Sequence, residues 1–274
     1  MNSRKLLQYV IIGIVAVCIA TLFKKEKPAT EGNVRDYTEI LKEGTLRVAT
    51  EYNSISFFMD GDTFSGFHYE LINAFAKEYQ LKASITPIMS FEDRLNGLKN
   101  GEFDIIANSI QATSQLKDSI LLTTPLILNK QVLVQRKPAT ESDTSLFIKN
   151  QLELARKTLH VVKGSPTILR IKNLSNEIAD TIFIKEIEKY GQEQLIAMVS
   201  HGDIDYAVCD ESIAKSYTDS LPNIDINTAI SFTQFYSWGV NKQSPILLDC
   251  LNTWIEQFKK TPAYKNLYKK YYQE

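Results

Sequence analysis

Three cysteines, three histidines and a formal net charge of −1 are what this 274-residue sequence has least of, and each scarcity closes off a class of function. Cys18 falls inside an apolar run, while Cys209 and Cys250 stand far apart in stretches that read as strand and helix. The latter two are expected to be buried thiols, neither a disulfide nor a metal pair. His68, His160 and His201 are isolated from one another, and none has a partner at metal-ligand spacing. Neither a zinc or di-metal site nor a cofactor is expected, and all three histidines read as surface or edge residues. The 31 basic and 32 acidic residues nearly balance, which argues against a nucleic acid as partner. General acid–base chemistry needs positioned carboxylate pairs or a histidine-centred group, and neither shows, so the sequence reads as a non-enzyme.

Long apolar runs are equally scarce, with one exception. Leu6 to Phe23 is uncharged, preceded by Arg4-Lys5 and followed by Lys24-Lys25. Eighteen residues at about 1.5 Å each approach the thickness of a bilayer, so residues 6–23 are expected to meet the membrane. An uncleaved anchor, a signal peptide cut near Cys18-Ile19-Ala20 and lipoprotein processing at Cys18 remain open. Basic residues flank both ends, and the positive-inside rule does not choose an orientation. Residues 1–23 thus read as anchor or signal, and residues 24–42, polar and bearing Pro28 and Gly32, as a tether.

What the sequence does have is alternation of strand and helix. Leu46–Thr50 reads as a strand, Tyr69–Tyr79 as a helix with Leu71, Ile72, Phe75 and Ala76 inward, and Ala83–Thr86 as a second strand. Ser90 is placed to cap a helix that Gly101 ends, and Phe103–Ala107 is the nearly continuous apolar run of a covered parallel strand. The unit returns a hundred residues later. Gly101-Glu102-Phe103-Asp104 has its counterpart in Gly202-Asp203-Ile204-Asp205, again between a helix and an apolar strand ending at Cys209. Two α/β lobes, each with its own parallel sheet, fit this duplication: residues 43–127 with 228–274, and residues 128–227. The extended stretches 125–136 and 228–240 would cross between them, making a hinge over a cleft.

Leu46–Thr50, Gly66-Phe67-His68-Tyr69-Glu70-Leu71, Gly101-x-x-Asp104, Thr123-Thr124-Pro125, Lys163-Gly164-Ser165 and Gly202-x-x-Asp205 through Asp210 occur in an order that resembles family 3 extracellular solute-binding proteins. The resemblance covers residues 43–272. It implies the two-lobed periplasmic-binding-protein fold of type II and a small-molecule ligand in the cleft, with the protein in the cell envelope, outside the cytoplasm. Within the family the chain is similar to the non-catalytic N-terminal domain of membrane-bound lytic murein transglycosylase F enzymes. Their catalytic domain follows this module, whereas this sequence ends at Glu274, so lytic activity is not expected. A sensing module and a transport receptor both fit, with a cell-wall enzyme or a permease as partner.

The resemblance also sets the ligand question. Amino-acid-binding members carry an arginine twelve positions after the strand aspartate, which grips the ligand's α-carboxylate. Here that position is Leu116, and Lys117 beside it is turned by about 100° on a helix and lacks the planar fork. Asp210 matches the acid that accepts the ligand's α-ammonium, although an aspartate there can also cap the next helix. The Gly164-Ser165 turn can present backbone N–H groups to an anion. Tyr52, Ser56 and Phe57 after the first strand, with Asn108, Ser109, Gln111 and Thr113 after Asp104, supply aromatic walls and neutral hydrogen-bonding groups. Such a cleft, without a guanidinium, suits an amine-bearing, peptide-like or muropeptide ligand better than a free amino acid.

Overall fold

The computed structural model describes residues 33–138, 140 and 146–272. The apolar run 6–23 and Cys18 lie outside them, and among the described residues no helix is long and apolar enough to cross a membrane.

The chain enters on a helix, Tyr37–Glu43, where the sequence reads as tether. Residues 33–42 are folded because Asp36 and Glu39 form a reciprocal capping box, and Gly44 in the left-handed conformation closes the far end. Arg35 is also buried. Its guanidinium pairs with Asp104, which accepts from Arg35 Nε at 3.1 Å and from the Arg47 backbone N–H at 2.7 Å. Asp104 therefore ties the first helix to the first strand and is structural.

Strands β1 (Thr45–Thr50), β2 (Phe58–Asp60), β3 (Thr63–Ser65), β4 (Lys82–Pro87), β5 (Ile105–Gln111), β6 (Leu121–Leu122) and β7 (Ile127–Asn129) come first. They are followed by β8 (Gln131–Arg136), β9 (Thr158–Val162), β10 (Phe183–Ile187), β11 (Tyr206–Asp210), β12 (Ile224–Asp225) and β13 (Gln234–Val240). One sheet runs β4-β1-β5-β13-β6, with β7 also on β13, and the other β10-β9-β11-β8-β12. Neither is wholly parallel. In each, three parallel strands are joined by an antiparallel one, β13 on β5 and β8 on β11. The Gly-x-x-Asp units lead into β5 and β11, which occupy equivalent places. The chain passes between the sheets at Lys130 and again before Gln234, and a bridge between Val132 and Ala229 holds the two crossings together.

Period-two alternation fills both faces of the first sheet. Ile105 and Ala107 pack with Leu71, Ile72 and Phe75 of helix Phe67–Glu78, while Ile106 and Ile110 meet Leu98 of helix Phe91–Lys99. Helices Pro245–Phe258 and Pro262–Tyr272 complete the first side through Trp254, Ile255, Tyr264 and Leu267. A separate core of Leu133, Leu159, Val161, Ile171 and Leu174 lies against the second sheet. Gly66 opens helix Phe67–Glu78 with φ of 134°, and a Cβ there would stand 2.4 Å from the Ser56 carbonyl oxygen. No other residue type meets both conditions.

Candidate functional site

Open α/β sheets place ligands beyond the carboxyl ends of their strands, and four such ends converge here. Glu51 follows β1, Asn108 to Gln111 close β5, Ser165 to Thr167 follow β9, and Asp210 ends β11. With Met89, Arg94, Gln131, Gln192 and Tyr236 they line a cavity of about 50 Å3. That admits a few waters and is far below the roughly 300 Å3 at the small end of drug-sized sites, so the two sides stand close together.

Several contacts cross between them. The Ser54 backbone N–H donates to Glu193 Oε1 at 2.7 Å, and the Ser54 and Ser216 hydroxyls are 2.9 Å apart. Gln131 Nε2 donates across to Gln111 Oε1 at 3.0 Å and, on its own side, to Thr167 Oγ1 at 2.8 Å. Tyr236 donates its phenolic proton to Asp210 Oδ1 at 2.9 Å.

Asp210 does not cap the helix Glu211–Lys215 that follows it. It faces the cavity, where Gln192 Nε2 donates to its other oxygen at 3.2 Å and Gln192 Oε1 accepts its backbone N–H at 2.6 Å. Burial raises its carboxyl pKa from 3.8 to about 6, and the Glu51 charge adds to the rise, against the hydrogen bonds from Gln192 and Tyr236. Glu51 is paired with Arg94 Nη2 at 2.9 Å, and Arg94 also donates to the carbonyls of Ile88 and Met89.

Arg94 corrects the expectation of a cleft without a guanidinium. One is present, 2 % exposed, but its charge is spent on Glu51. Leu116 is packed in the apolar cluster with Leu98, Ile106, Ile110 and Ile120, and Lys117 is exposed and outside the cavity lining. No cation takes the place of the missing arginine among the lining residues other than the pinned Arg94.

Asn108, Ser109, Gln111, Ser165 and Asp210 are thus brought together; Tyr52, Ser56, Phe57, Thr113 and Gly164 are not on the lining. Phe57 is buried in an aromatic cluster, 4.8 Å from the Phe64 ring and 5.6 Å from Tyr69, and Tyr52 stands at its exposed edge. The β2–β3 hairpin draws these rings away from the cavity. Ser56 is buried under Gly66. Thr113 caps the short helix Ser114–Lys117 through Leu116 N–H, and the Gly164 N–H donates to Glu186 Oε2 at 3.0 Å, so that donor already serves an anion within the chain. Sequence reading missed Glu51, Arg94, Gln131, Thr167, Gln192 and Tyr236. Only Glu51 carried a signal, as the residue after a strand end.

Two acceptors are left without a partner: Asn108 Oδ1 and Gln131 Oε1 are buried and make no hydrogen bond. Counted with Glu51, Arg94 and Asp210, the lining presents two carboxylates, one neutralised guanidinium whose Nε is unpaired, and two unused acceptors.

A family model described as bacterial extracellular solute-binding proteins, family 3, matches residues 46–274. The chain belongs to that family. Membrane-bound lytic murein transglycosylase F of Shewanella sediminis is 24% identical over 259 residues, covering 94% of this chain and 52% of that protein. The chain spans about half the length of the curated relatives it matches. An ancestral arginine-binding protein bound to arginine superposes with a TM-score of 0.72 at 25% identity, over 84% of this chain and 98% of that one. A substrate-binding protein of an ABC uptake transporter from Streptococcus pneumoniae with bound histidine gives 0.76 at 19% identity, over 87% and 96%. The fold is the two-lobed type II fold of the amino-acid-binding proteins, and a ligand-binding role follows from family membership.

Proposed function

We propose that this family 3 protein holds a small, donor-rich ligand carrying an ammonium group in the cavity between β5 and β11, and signals its presence by closure of two lobes. The lobes are taken as residues 43–127 with 228–274 and residues 128–227, tethered at the outer face of the membrane through residues 6–23. The observation that carries the ligand class is the excess of acceptors: Asp210, with Asn108 Oδ1 and Gln131 Oε1 unpartnered, against one unpaired donor, Nε of the guanidinium that Glu51 neutralises. A buried acceptor without a donor costs about 1–3 kcal/mol, which a ligand N–H or ammonium would recover. Tyr52, Ser56, Phe57, Thr113 and Gly164 drop to supporting residues in this reading.

Leu116 in the apolar cluster removes the usual α-carboxylate anchor, which favours an amine, a peptide-like amine or a muropeptide-derived fragment over a free amino acid. A role as a sensing module beside a cell-wall enzyme is supported by the similarity to transglycosylase F. An ABC-transport receptor is the second reading, supported by the likeness to the pneumococcal transporter protein. Thermal-shift and calorimetric titration of the chain with simple primary amines, muropeptide fragments and the twenty amino acids is the test. Stabilisation by amines is expected; tight binding of an unmodified α-amino acid, or no response to any amine, refutes the reading.

A further inference from the structure

Behind the cavity, the buried Trp238 and His68 and the half-buried Ser109 fix one another's protons. Trp238 Nε1–H donates to His68 Nδ1 at 2.9 Å, and His68 Nε2 lies 3.0 Å from Ser109 Oγ. An indole N–H can only donate, so His68 Nδ1 must be the acceptor. His68 is 1 % exposed, and burial lowers its pKa to about 3, so the ring is neutral and its one proton sits on Nε2. That nitrogen then donates, and Ser109 Oγ accepts. The serine's own proton is left over. The Tyr272 hydroxyl beside it is buried without a hydrogen bond of its own and, able to donate or to accept, does not set the serine's direction; His68 does.

Ser109 stands at the cavity wall, on an irregular stretch of β5. Ser237 pairs with Ile110 and Gly239 with Ile106, so Ala107, Asn108 and Ser109 together stand opposite the single residue Trp238. Such a bulge breaks strand alternation, and Asn108, Ser109, Ile110 and Gln111 are all on the lining.

We propose that His68 is a positioning residue that fixes Ser109 as a hydrogen-bond donor into the cavity, so that the ligand presents a neutral acceptor oxygen to Ser109 beside the ammonium held at Asp210. The ligand class narrows from an amine to an amine bearing a carbonyl or amide oxygen. The inference rests on the amine reading above.

The test uses the whole chain and two probes, glycinamide and ethylamine, which share the ammonium and differ in the amide. Glycinamide is expected to bind about two- to tenfold more tightly, the worth of one neutral hydrogen bond. His68→Leu should abolish that preference. His68→Gln should restore it, because a glutamine can accept from Trp238 through its carbonyl and donate to Ser109 through its amide. If His68→Leu does not fold, Ser109→Ala supplies the same comparison. Nitrogen NMR of labelled histidine should show His68 Nδ1 bare and Nε2 protonated from about pH 5 to about pH 8. A proton on Nδ1, or a preference that survives both His68→Leu and Ser109→Ala, overturns the proposal. Equal binding of the two probes overturns it and leaves the amine reading standing; binding of neither removes the amine reading and this inference with it.

Discussion

Replacing Asp210 by asparagine should stabilise the ligand-free protein, and by an amount that depends on pH. The carboxyl titrates at about 6 in the folded chain against 3.8 in its ordinary state, because burial beside Glu51 disfavours its charge. A group whose folded pKa is raised contributes fully below the unfolded value, and the contribution is lost as pH rises through the folded value. Two pKa units at 1.36 kcal/mol each set the loss between about pH 4 and about pH 7 at roughly 3 kcal/mol. Asparagine imitates the protonated acid and still accepts from Tyr236, but its amide faces the donor Gln192 Nε2 and forfeits that hydrogen bond, about 1 kcal/mol. The net gain at neutral pH is about 2 kcal/mol, or roughly 4–8 °C in melting temperature for a chain of this size. Thermal unfolding of both proteins across the pH range is the assay. The asparagine variant should pull ahead as pH rises and hold its lead above neutrality, while an amine probe should raise the midpoint of the parent only. A gap that is constant in pH, or that narrows as pH rises, refutes the argument.

Three further outcomes are expected. Gly66→Ala should lower the denaturant midpoint by an equivalent of about 2–4 kcal/mol, since the new Cβ would sit 2.4 Å from a backbone oxygen at a positive φ. Glu51→Gln should cost about 2–3 kcal/mol in urea unfolding, because Arg94 keeps its charge in a site where its Nε is already unpaired. Leu116→Ala should cost about 2–4 kcal/mol by opening a void among Leu98, Ile106, Ile110 and Ile120, and should leave the response to amine probes unchanged.

Much of the architecture was legible because it is written in local periodicity. The helix over Phe67–Glu78, the Ser90 cap that accepts from the Asp93 N–H at 3.1 Å, and strands β1, β5, β9 and β11 all follow from spacing and turn residues. The antiparallel members β8 and β13 were not legible as such, since strand direction is set by how the two crossings return. The helix Tyr37–Glu43 was missed because its roughly two turns carry a single buried residue, Ile40. The histidines misled for a related reason. His68 and His160 are buried, not at the surface, because each finds a partner remote in sequence: Trp238 and Ser109 for one, the Tyr206 carbonyl for the other.

The candidate site divides along the same line. By itself the sequence determined the α/β repeat, the family, the acid at Asp210 and the absence of an arginine at position 116, all of which are properties of one residue or a short window. Only the tertiary structure decided that Glu51 neutralises Arg94, that Tyr236 from the returning crossing holds Asp210, that the aromatic ring of Phe57 is used for packing, and that His68 turns Ser109 into a donor. Apart from Phe57, whose stacking partner Phe64 is close in sequence, those are relations between residues 26 to 170 positions apart, and hydrogen-bond direction is settled by the partner a proton meets, which no local pattern contains.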